Sequence, residues 1–393
     1  MVINIIINSV LIAAVLAAPP ESSPTAAARA NTLGGSSNAG TSICPSFYAP
    51  QSPKPILDSH HPHTHLGASP VTYYRAGALG AYYMEVGIGT PPQLFQLFID
   101  TGSADIWVNA NPCENDVCRS KPRLFYPEMS SSFTLDGQSW EIEYADSSFA
   151  KGFQAIDNLS IGNLNIKQQK VALATSISGD YITEPIDGLL GLGFRSETVN
   201  GIVPFIETLI SDAPNCSHKF AVYLPKNRQN PEITFGHLND KLYRGEITYT
   251  PIVPGDHTWQ LRLDDILFDG KSLDGKEIIV IDTGSALTSI DAALVNQIHA
   301  DIPGAQYIEN DGWYIPCDNE VPAVSFVFSG RQFSIPKGSL QTIRKLKSDP
   351  GLCYSGIQGT DGIWILGLSW FDYWYVVFDP DRKMIGIAEL VSS

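Results

Sequence analysis

The sequence predicts an all-β protein built from two similar halves. The chain has 393 residues, of which 44% are apolar, and its 33 Gly and 27 Pro indicate many turns. Val, Ile, Tyr and Phe are abundant and long helical patterns are scarce, which favours strands. The best helix candidates are 199–211 and 291–300, the second with Asp291 as its N-cap. A chain of this length can bury two hydrophobic cores.

A repeated tetrapeptide indicates the duplication. Asp-Thr-Gly-Ser occurs at 100–103 and again at 282–285. Each copy follows an apolar run, 94–99 in the first half and 277–281 in the second, that is typical of a buried strand. Each Asp is therefore predicted to lie at the end of a strand, facing a cavity.

Each half also carries two apolar residues and a glycine downstream of its Asp, at 189–191 and 365–367. A single Asp-Thr-Gly would most often be an ordinary turn. Two copies with matching partners at similar distances instead indicate a duplicated lobe. They predict two carboxylates that face each other at one site.

These motifs resemble those of the pepsin-like aspartic proteases of the secreted, single-chain kind, in particular the fungal ones. The resemblance extends from about residue 80 to the C-terminus. Beyond the two tetrapeptides it rests on the segments 83–92, 106–108, 186–193 and 376–379, and on Tyr144. It implies a bilobal double β-barrel with an active-site cleft between two pseudo-symmetric lobes, at 78–247 and 248–393.

The resemblance implies an endopeptidase that hydrolyses proteins at acidic pH. Asp100 and Asp282 would be the catalytic pair and share one proton, because two close carboxyls cannot easily both ionise. The other motif residues would support the pair. The threonines would form hydrogen bonds between the lobes, the glycines would let main-chain N–H groups approach the carboxylates, and the serines would donate their hydroxyls to the aspartates from outside. They are Thr101, Gly102, Ser103, Thr283, Gly284 and Ser285.

The stretch 140–148 resembles the hairpin flap that closes over substrate in this family. Tyr144 would be its aromatic residue, and Trp107 would be the partner of the tyrosine hydroxyl. Taken alone, both would more often be core aromatics. Ala145 and Ser147 stand where the family often has glycines, so the flap is expected to be stiffer or differently turned.

The resemblance also implies substrate-binding residues. Phe98, Ile186 and Leu189 fall where the family lines the S1 pocket, which favours bulky apolar residues at the cut. Asp146 at the flap tip implies that a basic substrate residue can be accepted before the cut, although an ordinary turn aspartate is the alternative.

The N-terminal region is expected to be processed. Residues 1–17 are predicted to be a signal peptide, with a membrane anchor as the alternative. Residues 18–77 are rich in Pro, Ser, Ala and His and are predicted to be a pro-segment, which the family uses as an inhibitor. Its histidines could act as an acid trigger or form a solvated tract. They are His60, His61, His63 and His65.

Six cysteines in an exported chain predict disulfides. The resemblance implies the pairs Cys113–Cys118 and Cys317–Cys353. Cys44 and Cys216 could tether the pro-segment, or Cys216 could be a buried thiol. Asn158 and Asn215 begin sequons that allow N-glycosylation, so the protein can be a glycoprotein.

The remaining expectations concern partners. With 41 acidic and 25 basic residues, the net charge of −16 argues against nucleic-acid and anionic-membrane binding. No zinc-protease or serine-hydrolase motif occurs, so no metal or cofactor is expected. The expected partners are protein or peptide substrates and the chain's own pro-segment. A secreted monomer is expected, with the vacuole as the alternative destination. After signal cleavage the chain is not expected to associate with a membrane. A catalytically silent binding protein and a glycoside hydrolase with paired carboxylates are the competing functions.

Overall fold

The computed structural model describes residues 67–70, 72–74, 80–144, 147–179, 186–212, 217–255 and 258–391. Several predictions therefore fall outside the described residues. They concern the signal peptide, most of the pro-segment with its histidines, the flap residues Ala145 and Asp146, the sequon at Asn215, and Cys44 and Cys216.

Strands dominate the described chain. In the first half they are β1 (Gly67–Pro70), β2 (Thr72–Tyr74), β3 (Ala81–Ile88), β4 (Gln93–Asp100), β5 (Ile106–Asn109), β6 (Thr134–Glu143), β7 (Phe149–Ile161), β8 (Leu164–Ile177), β9 (Gly188–Gly191), β10 (Phe220–Tyr223), β11 (Glu232–Phe235) and β12 (Tyr243–Pro251).

The second half continues with shorter strands. They are β13 (Gln260–Arg262), β14 (Asp265–Phe268), β15 (Lys271–Ser272), β16 (Ile278–Ile281), β17 (Thr288–Asp291), β18 (Gln306–Ile308), β19 (Gly312–Pro316), β20 (Val324–Phe328), β21 (Arg331–Ile335), β22 (Gln341–Lys345), β23 (Leu352–Ser355), β24 (Ile357–Thr360), β25 (Trp364–Leu366), β26 (Trp374–Asp379) and β27 (Met384–Leu390).

Helices are few and short in the described residues. They are α1 (Asp116–Arg119), α2 (Phe205–Asp212), α3 (Ala292–Ala300) and α4 (Leu368–Phe371), with 3-10 turns at Pro127–Met129, Arg195–Glu197 and Val199–Gly201. The helix expected from residue 199 begins only at Phe205, because Asn200 has a left-handed φ of 56°. The second helix prediction is confirmed, since the Asp291 side chain accepts from the N–H groups of Ala293 and Leu294.

The first half closes into a β-barrel. Its eight-stranded sheet has the order β2-β3-β4-β9-β5-β8-β7-β6, and a further pairing of β3 with β7 closes a ring of six strands. The long hairpin of β7 and β8 turns at Gly162, whose φ of 54° suits a two-residue loop. The ring encloses apolar side chains such as Met84 and Val108, both fully buried.

The second half repeats the central topology of the first. The strand order β4-β9-β5-β8 in the first half corresponds to β16-β25-β17-β24 in the second. In both runs the first pair is parallel, the second antiparallel and the third parallel. In the second half β13 extends this run to five strands, and eight further strands form two four-stranded sheets, β15-β14-β20-β21 and β18-β19-β23-β22. The predicted all-β, two-lobed architecture is confirmed.

A six-stranded sheet, in the order β1-β11-β10-β26-β27-β12, joins strands from both halves. The predicted lobe boundary between residues 247 and 248 lies inside β12. Strands β1 and β2 belong to the predicted pro-segment, and they pair with β11 and β3. This part of the predicted pro-segment is therefore built into the sheets.

Aromatic side chains fill the seam between the halves. Phe220 and Phe378 stack with ring centroids 4.7 Å apart, and Trp259 packs edge-on against Phe378 at 5.0 Å. The Trp259 indole also donates to the main-chain oxygen of Leu192, 2.8 Å away. These contacts hold the two halves against each other close to the Asp100 turn, because the Leu192 N–H donates to the main-chain oxygen of Asp100.

Candidate active site

The two repeated aspartates lie at equivalent strand ends. Asp100 is the last residue of β4 and pairs with Gly191 at the end of β9. Asp282 follows β16, and its N–H donates to the main-chain oxygen of Leu366 in β25 over 3.0 Å. Both aspartates are fully buried. The parallel strand pair in each half therefore sets the position of one carboxyl.

The apolar-apolar-Gly repeat has a steric reason. A Cβ on Gly191 would lie 2.5 Å from the carbonyl carbon of Ala104. A Cβ on Gly367 would likewise collide with the main-chain oxygens of Ser285 and Leu287. Glycine at these positions lets the Asp turns pass close over β9 and β25.

The two threonines join the Asp turns. Thr101 accepts a bond from the Thr283 N–H over 3.0 Å, and Thr283 accepts one from the Thr101 N–H over 3.1 Å. Each hydroxyl then donates across the seam, Thr101 to the oxygen of Ile281 at 2.8 Å and Thr283 to that of Ile99 at 3.0 Å. This reciprocal set of buried bonds locks the turns together.

The two glycines of the motif bring the carboxyls together. Gly102 donates its N–H to Asp100 Oδ1 over 2.8 Å, and Gly284 donates to Asp282 Oδ1 over 2.7 Å. A Cβ on Gly102 would lie 2.6 Å from Asp282 Oδ1, and one on Gly284 would collide with Asp100 Oδ1. Each glycine therefore contacts the carboxyl of the opposite half.

Both carboxyls have raised pKa values. Burial raises the pKa of Asp100, and hydrogen bonds from Ser103, Asp282 and the main chain oppose that increase. Burial raises the pKa of Asp282 well above its usual range, and the charge of Asp100 and the bond between the carboxyls raise it further. Two carboxyls this close do not easily both ionise, so the pair shares one proton and titrates as a unit.

The two serines do not play equivalent parts. The Ser103 hydroxyl donates to Asp100 Oδ2, as expected. The expectation for Ser285 was wrong, because its hydroxyl donates to the main-chain oxygen of Leu287 over 3.1 Å. Asp282 Oδ2 is buried without a hydrogen bond from a described residue. This oxygen lacks the donor that would stabilise its charge, which agrees with its higher pKa.

The two aromatic residues expected at the flap are in contact. The Trp107 indole N–H donates to the Tyr144 hydroxyl over 2.8 Å. Two main-chain hydrogen bonds of 2.8 Å close the described end of the hairpin. The Tyr144 N–H donates to the Ser148 oxygen, and the Ser147 N–H donates to the Tyr144 oxygen. Ser147 has a left-handed φ of 64°, which glycine adopts at lower cost. The strain expected from replacing a flap glycine is therefore present at Ser147.

The expected pocket residues pack in one cluster with the flap. Phe98, Ile186 and Leu189 are buried, and they belong to the same hydrophobic group as Trp107 and Tyr144. The side chains around Tyr144 and Trp107 are therefore apolar.

Sequence reasoning missed two carboxyls near the site whose pKa values are raised. Asp105 accepts from the Trp140 indole over 3.1 Å and from the Val199 N–H over 3.0 Å, and burial raises its pKa to about 7. A charged residue directly before the buried strand β5 was an available signal. The second is Glu197, whose pKa is raised by burial to about 9. No repeat or motif marks Glu197, so only the fold reveals it.

Two disulfides occur among the described cysteines. Cys113 is joined to Cys118 with an S–S distance of 2.02 Å, and Cys317 to Cys353 with 2.07 Å. The first closes the loop around α1, and the second connects β23 to the end of β19. Both pairs are the ones that the resemblance implied.

The described ranges contain no group of three or more His, Cys, Asp or Glu side chains placed to hold a metal ion. They also contain no helix of the length and apolarity that crossing a membrane requires.

Comparison with known proteins identifies the class. The family model of eukaryotic aspartyl proteases matches residues 81–390. The chain is 31% identical over 316 residues to rhizopuspepsin-1 of Rhizopus niveus, covering 79% of each chain. It is 29% identical over 328 residues to gastricsin of Mus musculus, covering 79% of this chain and 81% of the relative. It is 30% identical over 346 residues to major aspartyl peptidase 1 of Cryptococcus neoformans, covering 81% and 70%.

The chain belongs to the eukaryotic aspartyl protease family. It is an aspartic-type endopeptidase, a hydrolase of peptide bonds, like the proteases to which it is similar. Its relatives are proteases, so the comparisons favour neither the glycoside hydrolase nor the catalytically silent alternative.

Proposed function

We propose that Asp100 and Asp282 are the catalytic residues and that they hydrolyse peptide bonds at acidic pH. The observation that carries this proposal is the contact of each motif glycine with the carboxyl of the other half. It brings two buried carboxyls to one point of the seam, where they can act on the same substrate atoms. One ionised and one protonated carboxyl provide a base and an acid at the same time.

The hydrogen-bond donors around the two carboxyls favour one assignment of the two parts, because Asp100 has a hydroxyl donor and Asp282 Oδ2 has no donor among the described residues. Asp100 is the carboxyl with the hydroxyl donor Ser103. It takes a proton from the attacking water as the water oxygen bonds to the substrate carbonyl carbon. Asp282 gives its proton to the carbonyl oxygen as that oxygen becomes negative. When the C–N bond breaks, the amide nitrogen takes the proton that Asp100 received from water and leaves as a free amine, while a hydroxyl of the tetrahedral intermediate returns a proton to Asp282 and becomes an oxygen of the new carboxyl group. Water is consumed, and no other reactant is needed.

The supporting residues hold this geometry. The bonds of Thr101 and Thr283 fix the separation of the two turns, and the N–H groups of Gly102 and Gly284 orient the carboxyls. Such preorganisation is a large part of the rate enhancement in many enzymes, because the groups need not be reoriented during the reaction.

The test replaces the acid of the pair. Asp282→Asn keeps the shape of the side chain but cannot donate the shared proton, so we expect kcat on a peptide substrate at about pH 4 to fall roughly 10²-fold to 10⁴-fold. The matched control is Asp274→Asn, an exposed aspartate paired with Lys276 on the surface. Equal activity of the two variants and the wild type would reject the proposed mechanism.

We propose a preference for bulky apolar residues at the cut. The support is the apolar cluster that contains Phe98, Ile186 and Leu189. Acceptance of a basic residue through Asp146 is a separate proposal, which rests on the sequence because Asp146 lies outside the described residues. A peptide series with Phe, Leu or Lys before the cut tests both, with Asp146→Asn as the comparison. Cleavage after Lys that does not depend on Asp146 would remove its role.

We further propose a secreted monomer that is made as a precursor, with residues 18–77 as its inhibitor. The support is the pairing of β1 with β11 and of β2 with β3, which attaches the end of this segment to the body. Incubation of the purified precursor in acid should release a shorter chain, and the Asp282→Asn precursor should remain intact. Release at the same rate in both would show that another protease cuts the segment.

A further inference from the structure

Glu197 is a half-buried residue whose carboxyl the reaction described above does not use. It ends the 3-10 turn Arg195–Glu197, which follows β9. Its Oε2 atom is buried and has no hydrogen bond to a described residue. Glutamate is seldom buried without a partner, because removing a charge from water is costly. Its position therefore needs an explanation.

The carboxyl of Glu197 lies against the Asp100 turn. A Cβ on Gly193 would be 2.5 Å from Glu197 Oε2 and 2.8 Å from the main-chain oxygen of Ser103. The two oxygens thus border the same narrow space, which exists because residue 193 is a glycine. Ser103 is the residue whose hydroxyl donates to Asp100, and its main-chain oxygen accepts from the Gly193 N–H over 2.8 Å.

The second half of the molecule completes the surroundings. The side chain of Thr258 lies next to the Glu197 carboxyl, and Thr258 Oγ1 is also buried without a hydrogen bond to a described residue. The next residue, Trp259, is the one that joins the halves through Leu192. Glu197 therefore lies at the seam, between the Asp100 turn and the second half.

The charged groups in this region do not neutralise a glutamate anion. Arg195 binds Glu207, with Nε 2.8 Å from Oε2. Lys383 lies over the ring of Phe194, 4.1 Å from its centre. Asp105 is engaged with Val199 and Trp140. Burial is the largest influence on Glu197 and raises its pKa, hydrogen-bonding groups of Thr258 and the Phe194 main chain oppose that increase, and the charge of Asp100 adds to it.

We propose that Glu197 is a positioning residue of the active site. As a neutral carboxylic acid it fills the space beside Gly193 and can donate its proton to the main-chain oxygen of Ser103 or to Thr258. It thereby supports the turn that carries Asp100 and Ser103. A carboxylate in the same place would face the Ser103 oxygen and the Asp100 charge, and both would repel it. The pKa of about 9 that burial gives Glu197 agrees with a neutral group in acid.

The inference rests on the proposed role of Asp100, and the test compares two variants. Glu197→Gln is neutral, has the same shape and keeps a donor, whereas Glu197→Met has similar length and no donor. We expect Glu197→Gln to keep kcat within about twofold between roughly pH 3 and 5. Glu197→Met should lose about tenfold in kcat, the effect of one hydrogen bond, with an unchanged KM.

The pH profile separates positioning from general damage. Without the support, Ser103 holds the ionised form of Asp100 less well, so the lower-pH limb of kcat/KM should move to higher pH in Glu197→Met and not in Glu197→Gln. A wild-type profile and kcat in Glu197→Met would overturn the inference, and so would equal losses in the two variants. Activity that survives in Asp282→Asn would instead reject the proposed function.

A stability measurement keeps the inference testable if Glu197→Met does not fold. The folded-state pKa of Glu197 is raised, so the wild type loses stability as pH rises from about 4.5 toward 9, because the unfolded chain ionises first. The Tm of Glu197→Gln minus that of the wild type should therefore increase from about pH 5 to 8. The exposed control Glu246→Gln should show a flat difference. A flat or decreasing difference for Glu197→Gln would mean an ionised Glu197 and would overturn the inference.

Discussion

Gly102 of the first half contacts the Asp282 carboxyl of the second half, because a Cβ at residue 102 would lie 2.6 Å from Asp282 Oδ1. Real Cβ atoms do not approach a carboxyl so closely, so this contact exists only with glycine at residue 102. The same relation holds in reverse between Gly284 and Asp100. The separation of the two carboxyls is thus set by two glycines.

Gly102→Ala should therefore inactivate the enzyme while the protein still folds. The added methyl group pushes the Asp282 carboxyl away, and a displacement of about 1 Å at a catalytic group can reduce the rate roughly 10²-fold. We expect this loss in kcat on a peptide substrate, with a Tm that identifies a folded protein. Gly179→Ala is the matched control, since a Cβ there meets no described residue within 4 Å. Full activity of Gly102→Ala would mean that the turns can separate without harm.

Ser103→Ala and Ser285→Ala should differ, although the residues occupy equivalent positions of the repeat. Ser103 donates to Asp100 and favours its ionised form, whereas Ser285 donates to the oxygen of Leu287. Loss of the Ser103 hydroxyl should move the lower-pH limb of kcat/KM upward by up to about one pH unit. The limb should stay in place in Ser285→Ala. Equal shifts would indicate that both serines contact the pair in solution.

Thr101→Val should lower the stability of the protein as well as its rate of catalysis. The change removes one hydroxyl and leaves the Ile281 oxygen and the Thr283 N–H buried without partners. We expect the free energy of unfolding in urea to fall by about 2–4 kcal/mol. Thr208→Val, which removes a local bond to the Pro204 oxygen in α2, should change it by less than about 1 kcal/mol.

The double variant Thr101→Val/Thr283→Val tests whether the threonines act as one unit. Both single changes break the same network, so their effects should not add. Additive losses would contradict a shared lock between the turns.

Stability should decrease as pH rises through the weakly acidic range, partly because of Asp105. Burial raises its folded-state pKa from about 3.8 to about 7, so the unfolded chain loses this proton first. The stabilisation is complete below about pH 4 and is lost as pH rises toward 7, which amounts to about 4 kcal/mol for three pKa units. Asp105→Asn cannot ionise, so its Tm should change less steeply over this range. Parallel Tm profiles for the two proteins would refute the assignment.

Much of the fold could be predicted from local patterns. The strands around 94–99 and 278–281, the N-cap at Asp291 and the doubled Asp-Thr-Gly-Ser each follow from short-range chemistry. The helix expected from residue 199 begins later because Asn200 has a left-handed φ, which hydrophobic periodicity does not reveal. Local patterns predict which elements exist better than where they begin.

The sequence by itself determined that two similar halves each present an aspartate at the end of a buried strand, because strand propensity, turn residues and internal repeats are local properties. The tertiary structure decided what distinguishes the two aspartates. Identical tetrapeptides gave Ser103 and Ser285 different acceptors, and residues far apart in the chain, such as Glu197 and Thr258, met at the seam. Burial and neighbouring charge fix proton affinity, and both depend on how the halves pack.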